Sequence, residues 1–359
     1  MKKLLSDIAE IIKDYRKDKI QQIDSNHVQK WVEQFDKNSQ KVILQETKNL
    51  LSTLYISENS LRKLFNDILV LKDITDGNPK GYWKSVSLLD IQSGGSSQKE
   101  MNKIFLEEVD KKFNFKIPKN DFSKKNLIYL DDFLFTGNRA LNDFKDFLPN
   151  NKLTNIKLEF IFMGWYRYGQ YYFGQRFEQY YKELKRKIDF RMWSYQELRL
   201  ENRLYYKNNS ESFWMSEVPD EFYNELGVSK DEVKLREVIQ NPSYRFFSSE
   251  TNRQIVEEQF LKYGVQIISN CESPSVVMRP LGFSPFRGFG FGSVVTSFRN
   301  CPNNCPLVFW WGDITKSSGN ALDNWYPLLP RKVYKKDIKV EFDFDDDALK
   351  IIYKRLQNE

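Results

Sequence analysis

Residues 126–148 hold the pattern that most restricts what this chain can fold into. An apolar run, two acids, a Thr-Gly pair and an amphipathic stretch follow one another there. The apolar residues 127–130 do not alternate with polar ones, which is typical of a strand buried on both faces of a parallel sheet. Leu141, Phe144 and Leu148 then recur at helical spacing. The segment therefore predicts a strand, an acidic pair, a turn and a helix, in that order.

The acids and the turn suit different parts of one ligand. Asp131 and Asp132 end the predicted strand, and Thr136, Gly137 and Asn138 begin the predicted helix. Carboxylates accept hydrogen bonds from a vicinal diol, and the free N–H groups of a helix N-terminus favour an anion. A ribose 5-phosphate carries both features, so we interpret the segment as a sugar-phosphate or nucleotide site. The alternative is a plain strand–helix unit whose acids happen to end the strand.

A second strand–turn–helix unit precedes the first. Residues 86–91 predict a strand and residues 101–109 a helix. The turn between them contains Gly94 and Gly95, which allow unusual backbone angles and a close approach to an anion, although a mere connection explains them as well. A third strand is predicted at 156–163. The β-α-β-α-β order predicts a doubly wound α/β parallel sheet with ligand sites at the carboxyl ends of its strands.

The rest of the chain divides around this core. Apolar residues at three- and four-residue steps predict a helical start, and Gly-rich and aromatic segments near the end predict strands at 293–298 and 307–311. We predict three regions: an N-terminal helical region, residues 1–78; an α/β core with an insertion around 165–250, residues 79–272; and a β-rich C-terminal extension packed on the core, residues 273–359.

Composition excludes several classes of protein. Of the 359 residues, 40% are hydrophobic, which is enough to bury a sizeable core. The net charge of +6 is small for this length and does not by itself indicate nucleic-acid binding. No apolar run is long enough to span a membrane, and Asp7 and Glu10 interrupt the apolar start, so we expect a cytoplasmic protein.

Cysteine and histidine are too few for three common kinds of site. Three cysteines do not make a disulfide framework, so we expect free thiols. Cys301 and Cys305 have no second close pair and no nearby histidine, which argues against zinc. The one histidine, His27, lies far in sequence from the acidic pair, so a Ser-His-Asp triad is unsupported.

The order of apolar strand, two acids, two variable residues and Thr-Gly resembles the phosphoribosyl diphosphate (PRPP) motif of type I phosphoribosyltransferases. The resemblance implies that Asp131 and Asp132 hold the ribose hydroxyls, and that Mg²⁺, bound with PRPP, meets these two acids. It also implies two anion sites: the 5′-phosphate at Thr136, Gly137, Asn138 and Arg139, and the diphosphate at Ser93, Gly94, Gly95, Ser96 and Ser97. Phe135 and Arg139 depart from the family pattern, which more often has a small hydroxyl residue and a threonine there.

Segments outside the motif extend the resemblance over nearly the whole chain. They are Trp31, Gln34-Phe35, Gly290-Phe-Gly, Asn300-Cys-Pro-Asn-Asn, Trp310-Trp311 and Trp325-Tyr-Pro-Leu-Leu-Pro-Arg331. Together with the motif they resemble the phosphoribosyltransferase-like proteins of bacterial conflict systems, which occur beside antiphage components and in some retron operons. That resemblance implies an effector of antiphage defence with protein partners from the same operon. In a retron, the partners would include a reverse transcriptase and its msDNA.

Three functions remain open at the level of sequence. The first is a phosphoribosyltransferase that transfers or cleaves the phosphoribosyl group of PRPP. The second is a catalytically inactive subunit that senses a nucleotide or acts as a scaffold for protein or retron ribonucleoprotein partners, and the departures at Phe135 and Arg139 favour it. The third is a nucleic-acid-binding adaptor that uses the helical start and the aromatic stretches.

Overall fold

A computed structural model of the protein describes residues 1–92, 97–203, 210–238, 244–271, 273–284, 288–312 and 325–331. The described helices are α1 Lys2–Ile11, α2 Ser25–Val32, α3 Gln40–Leu54, α4 Glu58–Ile68, α5 Lys72–Thr75, α6 Pro79–Ser85, α7 Ser97–Phe113, α8 Asn138–Phe147, α9 Arg167–Glu183, α10 Asp220–Leu226, α11 Glu250–Ser269 and α12 Leu307–Trp310. The described strands are β1 Tyr55–Ile56, β2 Val86–Leu88, β3 Asn126–Leu134, β4 Ile156–Tyr166, β5 Ile188–Trp193, β6 Arg199–Leu200 and β7 Thr296–Ser297.

The central sheet is parallel and alternates with helices. β2, β3, β4 and β5 lie side by side in that order, and β6 pairs in parallel with the last two residues of β4. α7 connects β2 to β3, α8 connects β3 to β4, and α9 connects β4 to β5. The predicted α/β class with a parallel sheet is therefore confirmed.

β3 is buried on both faces, as its lack of alternation predicts. Leu127 and Tyr129 pack in the apolar cluster that includes residues of α8 and α9. Ile128 and Leu130 pack in the second cluster, on the other face, with residues of α7 and of the N-terminal helices. Helices therefore cover both faces of the sheet, and the carboxyl end of β3 opens between α7 and α8.

The N-terminal helices hold the end of the described chain. Trp31 Nε1 donates a hydrogen bond to the Val308 carbonyl oxygen at 2.8 Å. The Gln34 side chain makes two hydrogen bonds with the Tyr326 backbone: its Nε2 donates to the carbonyl oxygen at 2.8 Å, and its Oε1 accepts from the N–H at 2.7 Å. These contacts give residues 325–331 a role that local sequence did not reveal, because the segment closes the N-terminal helices onto the extension.

The predicted strand at 307–311 is wrong, because Leu307–Trp310 forms the short helix α12. Pro306 precedes this helix with φ −48° and ψ 138°, and all four helical residues are buried. A short run of buried apolar residues has the same appearance in a strand and in a helix, so its pattern does not distinguish the two.

The strand predicted at 293–298 shortens to β7, which pairs in parallel with β1 outside the central sheet. The chain before β7 is irregular, and Gly292 shows why. Its φ is +70°, and a Cβ there would lie 1.9 Å from the Phe213 carbonyl oxygen. Only glycine tolerates both conditions. Where the structure describes the C-terminal extension, it is loop-rich and not β-rich.

Two further expectations concern cysteines and membranes. Cys271, Cys301 and Cys305 are free, as expected. Within the described part of the chain, no helix combines the length and the apolar character that crossing a membrane requires.

Candidate functional site

β3 runs through the acidic pair and ends at Leu134. Successive side chains of a strand project to opposite faces, and the contacts of the two acids follow this rule. Asp131 is buried beside Tyr129 on the α8 side of the strand. The Asp132 side chain keeps 29% of its surface exposed and lies on the α7 side. Asp132 is therefore the more exposed acid of the pair.

Burial shapes the chemistry of Asp131. Its Oδ1 accepts a hydrogen bond from the Asp132 N–H at 2.9 Å, and its Oδ2 lies 3.5 Å from the Tyr129 hydroxyl and from Gln92 Nε2. Burial and the negative charge of Asp132 raise the pKa of Asp131 to about 7, although a hydrogen bond from Ser97 lowers it in part. Near neutral pH, Asp131 is therefore only partly ionised.

Asp143 on α8 is a third acid that the sequence analysis missed. The Tyr129 hydroxyl donates a hydrogen bond to Asp143 Oδ2 at 2.8 Å, and Arg139 Nε lies 3.6 Å from Asp143 Oδ1. Burial raises the pKa of Asp143 to about 6. A sequence signal was present, since this acid falls on the apolar face of α8 beside Ala140 and Phe144. Through Tyr129, it links Asp131 to α8, the helix that follows the Thr-Gly turn.

The Thr-Gly turn places an uncapped helix N-terminus beside the acids. Gly137, with φ +82°, precedes α8, and no side chain caps the helix. The N–H groups of its first turn are thus available to an anion. Thr136 Oγ1 lies 3.4 Å from the Asn138 N–H, a weak contact within the turn. Arg139 lies in the first turn of the same helix, and its side chain is 54% exposed.

The start of α9 packs closely against the Thr-Gly turn. A Cβ on Gly137 would lie 2.6 Å from Phe173 Cβ, and a Cβ on Gly169 would lie 1.8 Å from the Phe135 carbonyl oxygen. Phe135 itself packs against Tyr166 at a ring-centroid distance of 6.3 Å. The departure at Phe135 therefore has a packing reason. The role of Gly169 was hidden in a tyrosine-rich segment whose partner lies far away in sequence.

The Gly-rich turn after β2 is described only at its end. Ser93, Gly94, Gly95 and Ser96 lie outside the described residues. Ser97 is the first residue of α7, and its Oγ lies 3.1 Å from Gln92 Oε1. Gln98 Oε1 accepts hydrogen bonds from the Ile91 and Gln92 N–H groups at 2.7 and 2.9 Å. Through Gln92, the start of α7 is tied to Asp131.

Arg299 from the C-terminal extension completes the described site. Its Nη1 donates to Asp132 Oδ2 at 2.8 Å, its Nε donates to Glu100 in the first turn of α7, and its side chain is only 8% exposed. Burial lowers the pKa of the guanidinium, but the charges of Asp132 and Glu100 outweigh burial and raise the pKa overall. Nothing in the sequence indicated this contact, since Arg299 and Asp132 are separated by 167 positions.

A family comparison covers most of the chain. The model of the PRTase-CE family matches residues 28–331, from α2 to the last described segment. The chain belongs to the PRTase-CE family. It is therefore a phosphoribosyltransferase-like protein. Comparisons with curated proteins and with solved structures found no match.

The acid pair of this PRTase-CE protein fits a directly bound Mg²⁺ poorly. Mg²⁺ takes a near-octahedral set of oxygen ligands, and a carboxylate joins that set most readily through an oxygen that no other donor occupies. Asp132 Oδ1 accepts from the Phe133 N–H at 2.7 Å, and Oδ2 accepts from Arg299. Among the residues that the structure describes, no group of three or more metal-binding side chains is found. Mg²⁺ that arrives bound to a diphosphate is then part of the substrate.

Asp131→Asn is expected to stabilise this PRTase-CE protein above neutral pH. In the unfolded chain the carboxyl ionises near pH 4, whereas its folded pKa is about 7. The penalty on the folded state therefore grows between these values and is complete above pH 7, and asparagine removes it. We expect a gain of roughly 1–2 kcal/mol at pH 8 that shrinks toward pH 5, measured by thermal unfolding. A gain independent of pH would contradict this explanation.

Proposed function

We propose that the protein binds PRPP or a related ribose phosphate at the carboxyl end of β3 and transfers or cleaves its phosphoribosyl group. One observation carries the proposal: Asp132 and the uncapped N-terminus of α8 lie at the same edge of the sheet. The acid offers acceptor oxygens to a ribose diol, and the helix offers N–H donors to a 5′-phosphate. The PRTase-CE match supports the same class of ligand.

The proposed roles follow the geometry. Asp132 accepts hydrogen bonds from the ribose hydroxyls, and Asp131 positions it, because Asp131 Oδ1 holds the Asp132 N–H. The 5′-phosphate binds at Thr136, Gly137, Asn138 and Arg139. The diphosphate binds near the start of α7, at Ser97 and at the residues 93–96 that precede it.

The proposed reaction needs no general base from the protein. The bond between C1 of the ribose and the diphosphate oxygen breaks, and both electrons leave with the diphosphate. The lone pair of the acceptor forms the new bond to C1, and when water is the acceptor its proton passes to solvent. The negative charge of Asp132 stabilises the positive charge that develops on the ribose.

We further propose a biological setting from the sequence resemblance. A cytoplasmic effector of this kind acts in antiphage defence by modifying or depleting a nucleotide-related molecule. Its partners are products of the same operon, such as a retron reverse transcriptase with its msDNA. This setting rests on the resemblance alone, since fold and site describe only the chemistry.

The test measures diphosphate release from PRPP and Mg²⁺, with and without a panel of bases and nucleotides. Asp132→Asn is expected to lower release by about 10- to 100-fold, because a charge-assisted hydrogen bond to the ribose is lost. Asp146→Asn is the control: it makes the same change at an exposed acid of α8 that is not among the proposed binding residues. Equal release by the wild type and Asp132→Asn would refute the assignment of the site.

A catalytically inactive nucleotide sensor is the second candidate. Arg139 favours it, because this departure from the family pattern places the guanidinium 3.6 Å from the buried carboxylate of Asp143, which competes with a phosphate for it. A sensor predicts a rise in melting temperature with PRPP that Asp132→Asn loses, together with no diphosphate release by the wild type. Release above background excludes it.

A further inference from the structure

Arg299 is held rigidly at the candidate site. On its N-terminal side, the Phe298 N–H donates to the Ile56 carbonyl oxygen at 2.8 Å, and the Phe298 carbonyl oxygen accepts from the Arg16 N–H at 2.6 Å. On its C-terminal side, the Asn300 N–H donates to the Ser297 carbonyl oxygen at 3.1 Å. The backbone on both sides is therefore fixed, and the guanidinium is positioned before any ligand arrives.

The guanidinium joins two parts of the site. It bridges Asp132, the acid that the ribose reaches, and Glu100 in the first turn of α7. In the proposed binding mode the 5′-phosphate lies at the N-terminus of α8. The diphosphate, the second anionic group of the ligand, therefore lies on the side of α7 and Arg299. Without Arg299, the two carboxylates would repel a diphosphate there.

Arg299 also has donors left for an anion. A guanidinium has five N–H groups in a planar fork that matches phosphate oxygens. The contacts with described residues use one N–H of Nη1 and that of Nε, which leaves Nη2. A divalent cation held directly by Asp132 would compete for the carboxylate oxygen to which Arg299 donates.

We propose that Arg299 takes the place of a divalent cation at this site and binds the diphosphate on C1 of the ribose, so that PRPP binds without Mg²⁺. The inference rests on the proposed function and deepens it. The positive charge between ribose and diphosphate then comes from the protein. Arg299 of the C-terminal extension supplies it, whereas β3 supplies the acids.

The test compares PRPP and ribose 5-phosphate binding by calorimetry, in EDTA and in Mg²⁺. In EDTA the wild type is expected to bind PRPP about tenfold more tightly than ribose 5-phosphate, because only PRPP offers a second anion to the guanidinium. Arg299→Gln is expected to weaken PRPP binding in EDTA by about 30-fold, and Arg299→Lys to restore part of it, since lysine keeps the charge but not the fork.

Controls separate this inference from the proposed function and from misfolding. Glu107→Gln removes an acid of α7 that pairs with Arg62 away from the site, and it should bind PRPP as the wild type does. Wild-type protein that binds neither ligand, with or without Mg²⁺, refutes the proposed function. Wild-type protein that binds PRPP only with Mg²⁺ refutes the role of Arg299 but leaves the proposed function standing. This outcome needs no variant, so it holds even if Arg299→Gln fails to fold. Tighter binding of PRPP by Arg299→Gln also overturns it, because Arg299 would then block the site.

Discussion

Gly169→Ala is expected to abolish ligand binding at the Thr-Gly turn, residues 136–137, and to lower the free energy of unfolding by about 3 kcal/mol. A Cβ at this position would lie 1.8 Å from the Phe135 carbonyl oxygen, which is far inside van der Waals contact. The methyl group must therefore push α9 away from the turn or distort the turn itself. Either shift moves the first N–H groups of α8, which are the proposed phosphate donors.

Gly174→Ala provides a matched control in the same helix. A Cβ on Gly174 would meet nothing within 4 Å. Alanine should therefore raise stability by about 0.5–1 kcal/mol through helix propensity and leave ligand binding unchanged. Denaturant unfolding measures the stability of both variants, and the melting shift with PRPP measures binding. Equal behaviour of the two variants would refute the close packing of α9 on the turn.

Arg253→Met is expected to lower the free energy of unfolding by about 4 kcal/mol, since it breaks a buried ion pair from one side. The Arg253 side chain is fully buried, and its Nε lies 2.9 Å from Glu257 Oε1. Its Nη1 and Nη2 donate to the Ser210 and Ser212 carbonyl oxygens at 3.0 and 2.7 Å. Methionine fills the space but leaves these acceptors without a donor. The segment after residue 210 would then lose two of the hydrogen bonds that attach it to α11.

Two further variants make the Arg253 experiment decisive. The double variant Arg253→Met/Glu257→Met lacks both charges. Its loss in unfolding free energy should therefore be smaller than the sum of the losses of the two single variants. Arg236 then keeps Glu250, at 2.9 Å, as its partner. Glu258→Gln, at an exposed position of α11, should change stability by less than about 0.5 kcal/mol. Additive losses in the double variant would show that Arg253 and Glu257 are not coupled.

Local pattern was sufficient for the strand–turn–helix unit at the site. β3 and α8 follow from consecutive apolar residues and from helical spacing, both of which are encoded within 23 residues, 126–148. The helical N-terminal region followed from the same spacing. These elements are predictable because their periodicity reflects which face each residue buries.

Contacts between distant segments were not predictable. Arg299 reaches Asp132 across 167 positions, and Gly169 meets Phe135 only after β4 has returned the chain to the turn. The helix at 307–310 was also not predictable. Its four residues are all apolar and buried, and such a short run looks the same in a strand and in a helix. A single sequence records the side chains of such pairs but not their pairing.

The pairing of β7 with β1 has a consequence for the order of events during synthesis. Thr296 lies beside Tyr55, and the Tyr15 hydroxyl donates to the Leu329 carbonyl oxygen at 3.1 Å. A ribosome that has completed β2 to β6 has not yet made Arg299, so the nascent chain carries the acids of the site without their counter-charge. Domains usually fold as they emerge, but this one cannot finish its site before nearly all of residues 1–331 exist. A chain that terminates before residue 299 therefore holds Glu100 and Asp132 without the guanidinium that pairs with both.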